Sequence, residues 1–223
     1  MATAMRRRAA RLDRRTRSAR AERRDARAAL LRAAAAVFSE RGFRDASVDD
    51  IAHRAGYSKG AIYWHFESKD DLFLALLEER LERPTREMIE LLESATPEQD
   101  MGPEASQRFV ELLESERELL LLQQEYWSQA VRDPKLRARY ASRRAKLRAA
   151  FGRALSTRLE HLGAPPGAVD VETMATVIMG LNEGLAQERL IDPGAVPDGL
   201  LGDTIVLLYF GVVARAERTS RRR

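Results

Sequence analysis

Residues 47–72 have the sequence SVDDIAHRAGYSKGAIYWHFESKDDL, and this stretch decides the fold of the chain. Apolar residues recur at helical spacing on both sides of the turn Gly56-Tyr57-Ser58. Two short helices joined by a three-residue turn form a helix-turn-helix, whose second helix enters the major groove of DNA. The stretch therefore predicts a DNA-binding element, and we call residues 26–72 the reading head.

Helix start signals surround this turn. Ser47 is a predicted N-cap, and Asp50 follows three residues later as its capping-box partner. Ser58 caps the next helix, which we expect to extend to about residue 66. Ser68 and Asp71 repeat the pattern at the start of a further helix. Each helix of this region therefore begins at a locally encoded position.

A longer helix precedes Ser47. Its apolar stripe comprises Leu30, Leu31, Ala34, Val37 and Phe38. Gly42 suits the left-handed residue that ends a helix, and Phe43 is then placed to pack back on Phe38. The three helices together predict a compact helical domain.

The second helix of the motif has two different faces. Ala61, Ile62 and Phe66 fall on one arc, and Lys59, Gly60, Tyr63 and Trp64 fall on the other. A cation, a bare backbone and two aromatics suit the wall of a groove better than bulk water. Ser58 lies where a helix N-terminus attracts phosphate, Lys59 can reach phosphate or a guanine edge, and Gly60 permits close approach.

The remaining chain also has helical periodicity. We expect helices over 84–94, 103–115, 116–132, 135–162, 169–191 and 200–218, separated by Gly, Pro and Asp-Pro breaks. No segment has the alternating pattern of a strand, and the fold class is therefore predicted to be all-α.

Composition excludes several classes of protein. The chain is 44% hydrophobic and 32% charged, which is typical of a globular protein, and it contains no cysteine. No apolar run approaches the roughly 20 residues of a membrane span. Only three histidines are present, with no glycine-rich phosphate loop and no metal-ligand spacing. We therefore expect no enzyme activity, no cofactor, no metal and no membrane partner.

The basic charge lies in the tails. Residues 1–25, the leader, hold ten arginines against Asp13, Glu22 and Asp25, whereas the whole chain has a net charge of +4. Such a segment is either a solvated, disordered arm or an arm that lies along DNA phosphates, and it can be disordered until DNA binds. Arg-rich composition is also found in mitochondrial transit peptides.

The reading head resembles the DNA-binding domain of the tetracycline-repressor (TetR) family. The resemblance rests on SVDDIA at 47–52 and GYSKGAIYWHFESKDDL at 56–72, where glycines, caps and aromatics are all in register. It implies an N-terminal three-helix helix-turn-helix domain followed by a C-terminal helical ligand-binding and dimerisation domain. The leader is longer than the usual short arm of the family and has no counterpart in it.

The resemblance also implies roles for individual residues. Phosphate contacts are implied for Ser47, Tyr57, Tyr63, His65 and Lys69, and positions near bases for Ser58, Lys59 and Gly60.

Three aromatic residues of the reading head have a second interpretation. Tyr57 also suits a staple that packs on Ile62, and His65 suits a half-buried structural role. Trp64 covers either the junction with the following helix or the groove. His53 is expected to be a surface residue.

Two late helices carry the apolar stripes of a dimer interface. The predicted interface residues are Phe151, Leu155, Leu159, Ile178, Leu181 and Leu185. Gly180 and Gly184 stand four residues apart, which permits close helix approach, although this signal is weak in a soluble protein. Two-fold symmetry would place two reading heads on adjacent major grooves, about 34–36 Å apart.

A ligand pocket between helices would be mostly apolar with a few polar groups. The candidate lining residues are Phe109, Leu113, Gln123, Tyr126, Trp127, Met174 and Ile178. The same residues at helical spacing also suit an ordinary core.

These observations predict four segments: a disordered arm at 1–25, the DNA-binding domain at 26–72, a regulatory and dimerisation domain at 73–218, and a basic tail at 219–223. The function predicted is a ligand-responsive repressor in the bacterial cytoplasm, on the nucleoid when DNA-bound. It would bind a palindromic operator as a homodimer and respond to a small-molecule effector. The alternative is a weakly specific DNA-architectural protein that uses its basic arms.

Overall fold

The computed structural model describes the backbone of residues 2–96, 98–165 and 167–220, and side chains within 20–96, 98–165 and 167–215 and at 218. The described residues are helical, with no strand among them, and the predicted fold class is confirmed. The chain divides into two compact units between Leu76 and Leu77. We call residues 77–220 the cavity unit.

The helices follow one another with short connections. Their bounds are α1 Ala2–Asp45, α2 Val48–Ala55, α3 Lys59–His65, α4 Lys69–Leu77, α5 Arg83–Ser94, α6 Gly102–Ser115, α7 Arg117–Arg132, α8 Pro134–His161, α9 Val171–Ile191 and α10 Leu200–Ser220. The predicted helices of the cavity unit therefore begin and end within two residues of the observed ones. The exact starts differ because polar N-caps set them: Asp133 caps α8 and Asp170 caps α9.

The reading head has an aromatic core. The ring centroids of Phe38 and Phe43 are 5.7 Å apart, and those of Phe43 and Phe73 are 4.8 Å apart. Gly42 has φ 74°, which lets the chain turn so that Phe43 packs back, as predicted. Phe73 is fully buried and therefore ties α4 to the end of α1.

The leader differs from the prediction. Its backbone is helical from Ala2 and continues without a break into the rest of α1, where a disordered arm was expected. Alanine and arginine, which dominate this segment, are both strong helix formers. The side chains of residues 1–19 lie outside the described residues.

A π-helical turn, Glu78–Glu82, replaces the predicted break before Pro84. A proline inside an α-helix lacks its own N–H and clashes with the carbonyl four residues earlier, which here belongs to Arg80. A wider turn just before the proline relieves that clash while the helix continues. The hydroxyl of Thr85 donates to Leu81 O at 2.9 Å, so this carbonyl is also satisfied.

The cavity unit is held by packing between helices distant in sequence. Helix α8 packs against α5, α7 and α9, while α10 packs against α6. Its main core includes Leu155, Leu159, Met174 and Ile178, all buried. A second apolar cluster surrounds Phe109.

Helices α6 and α10 cross at two glycines. A Cβ on Gly202 would lie 1.9 Å from Gly102 O, so only glycine fits there. Buried Ser106 completes the crossing: its Oγ accepts from Gly202 N at 2.9 Å and donates to Gly199 O at 3.0 Å. The hydroxyl thereby satisfies backbone groups at the start of α10.

One segment of the described residues, Pro193–Arg215, is long and apolar enough to cross a membrane. The expectation that no apolar run approaches this length is therefore wrong. The apolar character arises because α10 has apolar residues on its outer face as well as its inner one: Leu207 is 70% exposed and Phe210 is 65% exposed. Length and composition alone do not distinguish a membrane span from a helix that packs against protein.

Candidate DNA-binding surface and regulatory cavity

The helix-turn-helix is built from local caps. Ser47 Oγ accepts from Asp50 N at 3.1 Å, and the Asp50 carboxylate accepts from Ser47 N, which forms the predicted capping box. Gly56 adopts the left-handed conformation (φ 72°, ψ 26°) that ends α2. Ser58 then caps α3 by accepting from Ala61 N at 3.2 Å. These contacts fix the angle at which α3 leaves the turn.

Helix α3 separates its faces as predicted. Ile62 and Phe66 are buried, whereas Tyr63 is 50% exposed. Lys59 and Gly60 are also exposed, and a Cβ on Gly60 would meet nothing closer than Ser58 Oγ at 3.7 Å. The outer face is therefore open to a duplex over the whole length of this short helix.

Ser47 and Tyr57 flank this face. The hydroxyl of Ser47 donates to Asp50 Oδ2 at 2.6 Å, and this hydrogen bond, followed by the charge of Arg41, holds the pKa of Asp50 below its usual value. The side chain of Tyr57 is exposed rather than packed as a staple. Phosphate contacts by these two residues stay predictions.

Lys59 is already paired. Its Nζ lies 2.8 Å from Asp49 Oδ2 on α2, and the hydrogen bond and charge of Asp49 raise the pKa of the Lys59 ammonium. Both side chains are more than half exposed. Exposed pairs of this kind are weak, so phosphate can compete for the lysine.

Lys69 has a different role from the one predicted. Its Nζ donates to Phe43 O at 2.8 Å, and to Arg44 O and Ala46 O at 3.0 Å. An ammonium has three protons, and all three are used here. The structure therefore gives Lys69 a capping role at the C-terminal end of α1 in place of the expected phosphate contact.

The C-terminal end of α3 lies against α1. The guanidinium of Arg23 stacks over the Trp64 ring at 3.9 Å, and that of Arg27 lies 5.5 Å from the Phe66 ring. Burial and then the charges of Arg23 and Arg27 lower the pKa of His65, which favours a neutral imidazole. His65 is half-buried, as its structural interpretation predicts.

Sequence reasoning missed the arginine stacking. Trp64 was expected to cover the junction with the next helix or the groove, and it instead carries an arginine of the leader. The spacing of Arg23 and Arg27, one helical turn apart, was the available signal. Since both arginines lie at the end of α3, they extend the positive surface beyond the reading helix.

The cavity unit encloses a cavity of about 230 Å³ between helices α5 to α10. Of the predicted ligand contacts, Phe109, Gln123 and Ile178 line it. Gln123 Nε2 lies 3.1 Å from Tyr140 Oη, another lining residue. The cavity therefore combines apolar walls with a few anchored polar groups, as small-molecule sites do.

The other four predicted ligand contacts do not line this cavity, because their side chains lie elsewhere. Leu113 and Met174 are buried in the two apolar clusters, and Tyr126 is fully buried with its ring 5.8 Å from that of Tyr140. Trp127 points outward and is 52% exposed. Helical spacing placed all four on apolar stripes but did not tell which stripe faces the cavity.

Two ion pairs and one hydroxyl that line the cavity were also not predicted from the sequence. Arg143 pairs with Glu82, and Arg144 pairs with Glu183. Tyr209 lies on the wall, where burial raises the pKa of its hydroxyl above the usual range. These groups come from four separate segments, and nothing in the local sequence brings them together.

The predicted dimer interface is wrong at three positions. Leu155, Leu159 and Ile178 are at most 4% exposed and belong to the core of their own chain, so they cannot face a second one. Phe151, Leu181 and Leu185 are partly buried, and their contact with a second chain stays a prediction. The outward large apolar side chains of α9 and α10 are instead Val177, Ile191, Leu207 and Phe210.

Comparison with known proteins assigns the chain to a family of helix-turn-helix regulators. The profile described as bacterial regulatory proteins, tetR family, matches residues 30–76, and the BetI-type transcriptional repressor C-terminal profile matches 104–202. The HTH-type regulator YdgC of Bacillus subtilis (strain 168) is 26% identical over 86% of this chain and 94% of its own. ArpR of Pseudomonas putida, also an HTH-type transcriptional regulator, is 30% identical over 82% of this chain and 87% of its own.

A solved structure has the same fold. A transcriptional regulator from Pseudomonas aeruginosa PAO1 superposes with a TM-score of 0.65 at 23% identity, over 86% of this chain and 92% of that one. Both profiles fall in order along the chain, one on the helix-turn-helix and one on the helices that surround the cavity. The chain is therefore a helix-turn-helix transcriptional regulator and belongs to the tetR family of bacterial regulatory proteins.

Proposed function

We propose that the protein is a ligand-responsive repressor that binds a palindromic operator as a homodimer. The observation that carries this proposal is the open outer face of α3, where Tyr63 is half exposed and a Cβ on Gly60 would meet nothing closer than 3.7 Å. Residues 26–72 would read DNA, and 73–218 would bind the effector and the second chain. The protein would act in the bacterial cytoplasm, on the nucleoid when bound.

Base reading is assigned to the N-terminal turn of α3. Ser58, Lys59 and Gly60 lie there, and Tyr63 follows one turn later on the same face. Phosphate contacts fix the register of a protein on DNA, while contacts to base edges determine the sequence preference. We assign Tyr57, Tyr63 and Ser47 to phosphate and the α3 N-terminal turn to bases.

The dimer is argued from the outer faces of α9 and α10. Val177, Leu207 and Phe210 are each more than half exposed in one chain. Gly180 and Gly211 have open space around them, which allows a partner helix to approach closely. Exposed apolar patches of this kind are typical of protein interfaces. A two-fold axis there would pair two reading heads for adjacent major grooves.

The effector site is assigned to the cavity. A ligand changes DNA affinity only if it binds one of two conformations more tightly. Leu77 and Leu81 line the cavity; Leu77 is the last residue of α4, the helix that begins in the reading head, and Leu81 lies in the π-helical turn that follows it. We propose that a bound ligand favours a conformation in which the two heads no longer match the operator spacing.

Selection of duplexes from a random DNA pool by the purified full-length protein tests the proposal. We expect enrichment of a palindrome with half-sites about one helical turn apart. Retention of DNA without an enriched sequence would support the architectural alternative, in which the basic leader binds any duplex. Absence of retention, repeated after removal of bound small molecules by unfolding and refolding, would contradict DNA binding.

The selected operator then tests the reading helix. We expect Tyr63→Ala to weaken operator binding roughly 10- to 100-fold, because a groove contact is worth about 1–3 kcal/mol. His53→Ala is the matched control, since His53 is exposed on α2. Circular dichroism and dimer mass should be unchanged in both variants. Equal affinity of the wild type and Tyr63→Ala would remove this face of α3 from the groove.

A further inference from the structure

The charges that line the cavity are already neutralised within the chain. Arg143 pairs with Glu82, and Arg144 pairs with Glu183. The fifth charged lining residue, Arg108, lies 2.6 Å from Glu104. A permanently charged ligand would have to break one of these pairs or remain uncompensated in an apolar site, and both are unfavourable.

The hydroxyl of Tyr209, an uncharged polar group of the wall, has no such charged partner among the residues that the structure describes. The hydroxyl of Tyr209 is buried and makes no hydrogen bond within the described part of the chain. Its side chain is only 5% exposed, and it lines the cavity. Burial raises the pKa of this phenol, which therefore stays protonated and able to donate. An unsatisfied buried donor is unfavourable until a partner arrives.

A buried cation acts on this hydroxyl. Arg158 is 5% exposed, and its guanidinium donates to the carbonyl oxygens of Thr96 and Gln99, each at 2.5 Å. Its positive charge acts on Tyr209, where it opposes the effect of burial on the pKa. The positive charge of Arg158 therefore also favours the electron-rich end of a ligand dipole at the Tyr209 hydroxyl.

The other walls are apolar and adaptable. Met88, Met101 and Met179 line the cavity together with Phe109 and Phe151. Methionine has an unbranched, polarisable side chain that adjusts to ligands of different outline. The aromatic rings provide flat surfaces against which a planar ligand can stack.

We infer that the effector is an uncharged, predominantly apolar or aromatic molecule with one hydrogen-bond acceptor, which the hydroxyl of Tyr209 binds. Ketones, esters and ethers with an aromatic body have this chemistry. The inference rests on the proposed function, in which this cavity is the effector site. It deepens that function by naming the ligand class and the residue that orients it.

Four naphthalenes of similar size separate the possibilities. They are 2-acetylnaphthalene, which is neutral with an acceptor, 2-ethylnaphthalene, which lacks one, 2-naphthoate, an anion, and trimethyl-2-naphthylammonium, a cation. Equilibrium dialysis against the full-length protein gives each dissociation constant. We expect the ketone to bind at least about tenfold more tightly than either ion.

Tyr209→Phe removes the hydroxyl and leaves the ring. It should weaken binding of the ketone about 3- to 10-fold and change binding of 2-ethylnaphthalene less than about twofold. Tyr126→Phe is the matched control, because this buried tyrosine of the same unit does not line the cavity. Its unfolding midpoint and that of Tyr209→Phe report whether either variant is misfolded.

Three results would overturn the inference: tighter binding of an ion than of the ketone, equal loss of the ketone and the hydrocarbon in Tyr209→Phe, or no binding of any naphthalene. A different set of results would contradict the proposed function. If the ketone binds as expected but leaves the selected operator bound, the ligand class holds and the ligand-responsive repressor does not. If an ion releases the operator and the ketone does not bind, the ligand-responsive repressor holds and the inferred ligand class does not.

Discussion

The reading head and the cavity unit are both helical, yet different forces position their helices. In the reading head, α2 and α3 have eight and seven residues, and serine caps and a left-handed glycine fix their ends. In the cavity unit, α8 has 28 residues and packs against α5, while α10 has 21 residues and packs against α6, in each case a helix far back along the chain. Local hydrogen bonds thus define one region and long-range packing defines the other.

This difference matches the function proposed for each region. The reading head presents its working groups on the outside, where Tyr63 and Lys59 face solvent. Short, firmly capped helices suit this task because the presenting surface must be rigid. The cavity unit has its working groups inside, and long packed helices can shift against one another when a ligand fills the space between them.

The largest expected effect tests the role of packing in the cavity unit. Gly202→Ala places a Cβ 1.9 Å from the backbone oxygen of Gly102, which cannot move aside as a flexible side chain would. We expect the free energy of unfolding to fall by about 3 kcal/mol. Chemical denaturation followed by circular dichroism measures it.

The control for this variant is Gly152→Ala in the same unit. A Cβ there would meet Val171 O at 3.6 Å, which is an ordinary contact, and alanine favours helix. Stability should therefore be unchanged or slightly higher. Equal losses in both variants would mean that general sensitivity of the unit, rather than the glycine crossing, determines the result.

A smaller effect tests the role of local hydrogen bonds in the reading head. Lys69→Met keeps the chain length and removes the ammonium that caps three carbonyls of α1. We expect a loss of about 1–2 kcal/mol in stability, measured by thermal unfolding. Lys59→Met is the matched control, since its only described ion pair is exposed and such pairs contribute little.

The opposite outcome would restore the role first expected of Lys69. Unchanged stability, together with weaker DNA binding and a shallower dependence on salt, is the behaviour of a phosphate contact. The reading head would then owe less to local capping than its structure indicates.

The smallest effect concerns the pair between α2 and α3. Asp49→Asn frees Lys59, and the pKa of the lysine falls toward its ordinary value while the group stays charged at pH 7. We expect roughly threefold tighter operator binding with a steeper salt dependence. Glu40→Gln changes the net charge equally but lies on α1, beside Arg54. A similar gain in this variant would attribute the effect to overall charge.

Most of the helix ends of the reading head could be predicted from the sequence. Serine caps and glycines with positive φ act within a few residues of their partners, so Ser47, Gly56 and Ser58 could be assigned without a structure. Lys69 could not, because its three acceptors lie more than 20 residues earlier in the chain. The capping role depends on how α4 folds back against α1, and no local pattern encodes it.

The helices of the cavity unit could be predicted from the sequence, but the residues that line its cavity could be predicted only in part. Apolar periodicity shows that a helix has a buried face, but Leu155 and Leu207 look alike in sequence, and one is core while the other is 70% exposed. Tyr209 and Arg158 are far apart along the chain, and only the folded arrangement brings the arginine charge close enough to act on the phenol of the cavity wall. Such sites require the three-dimensional arrangement.

The Lys69 cap has a consequence for the history of the protein. It fastens the end of α1 to the start of α4, so the intervening segment with both helices of the motif is a closed loop. Substitutions on the outer face of α3 leave this fastening untouched. Under the proposed reading of the operator by α3, a duplicated gene can therefore acquire a new operator preference through a few changes on one seven-residue helix and inherit the frame intact.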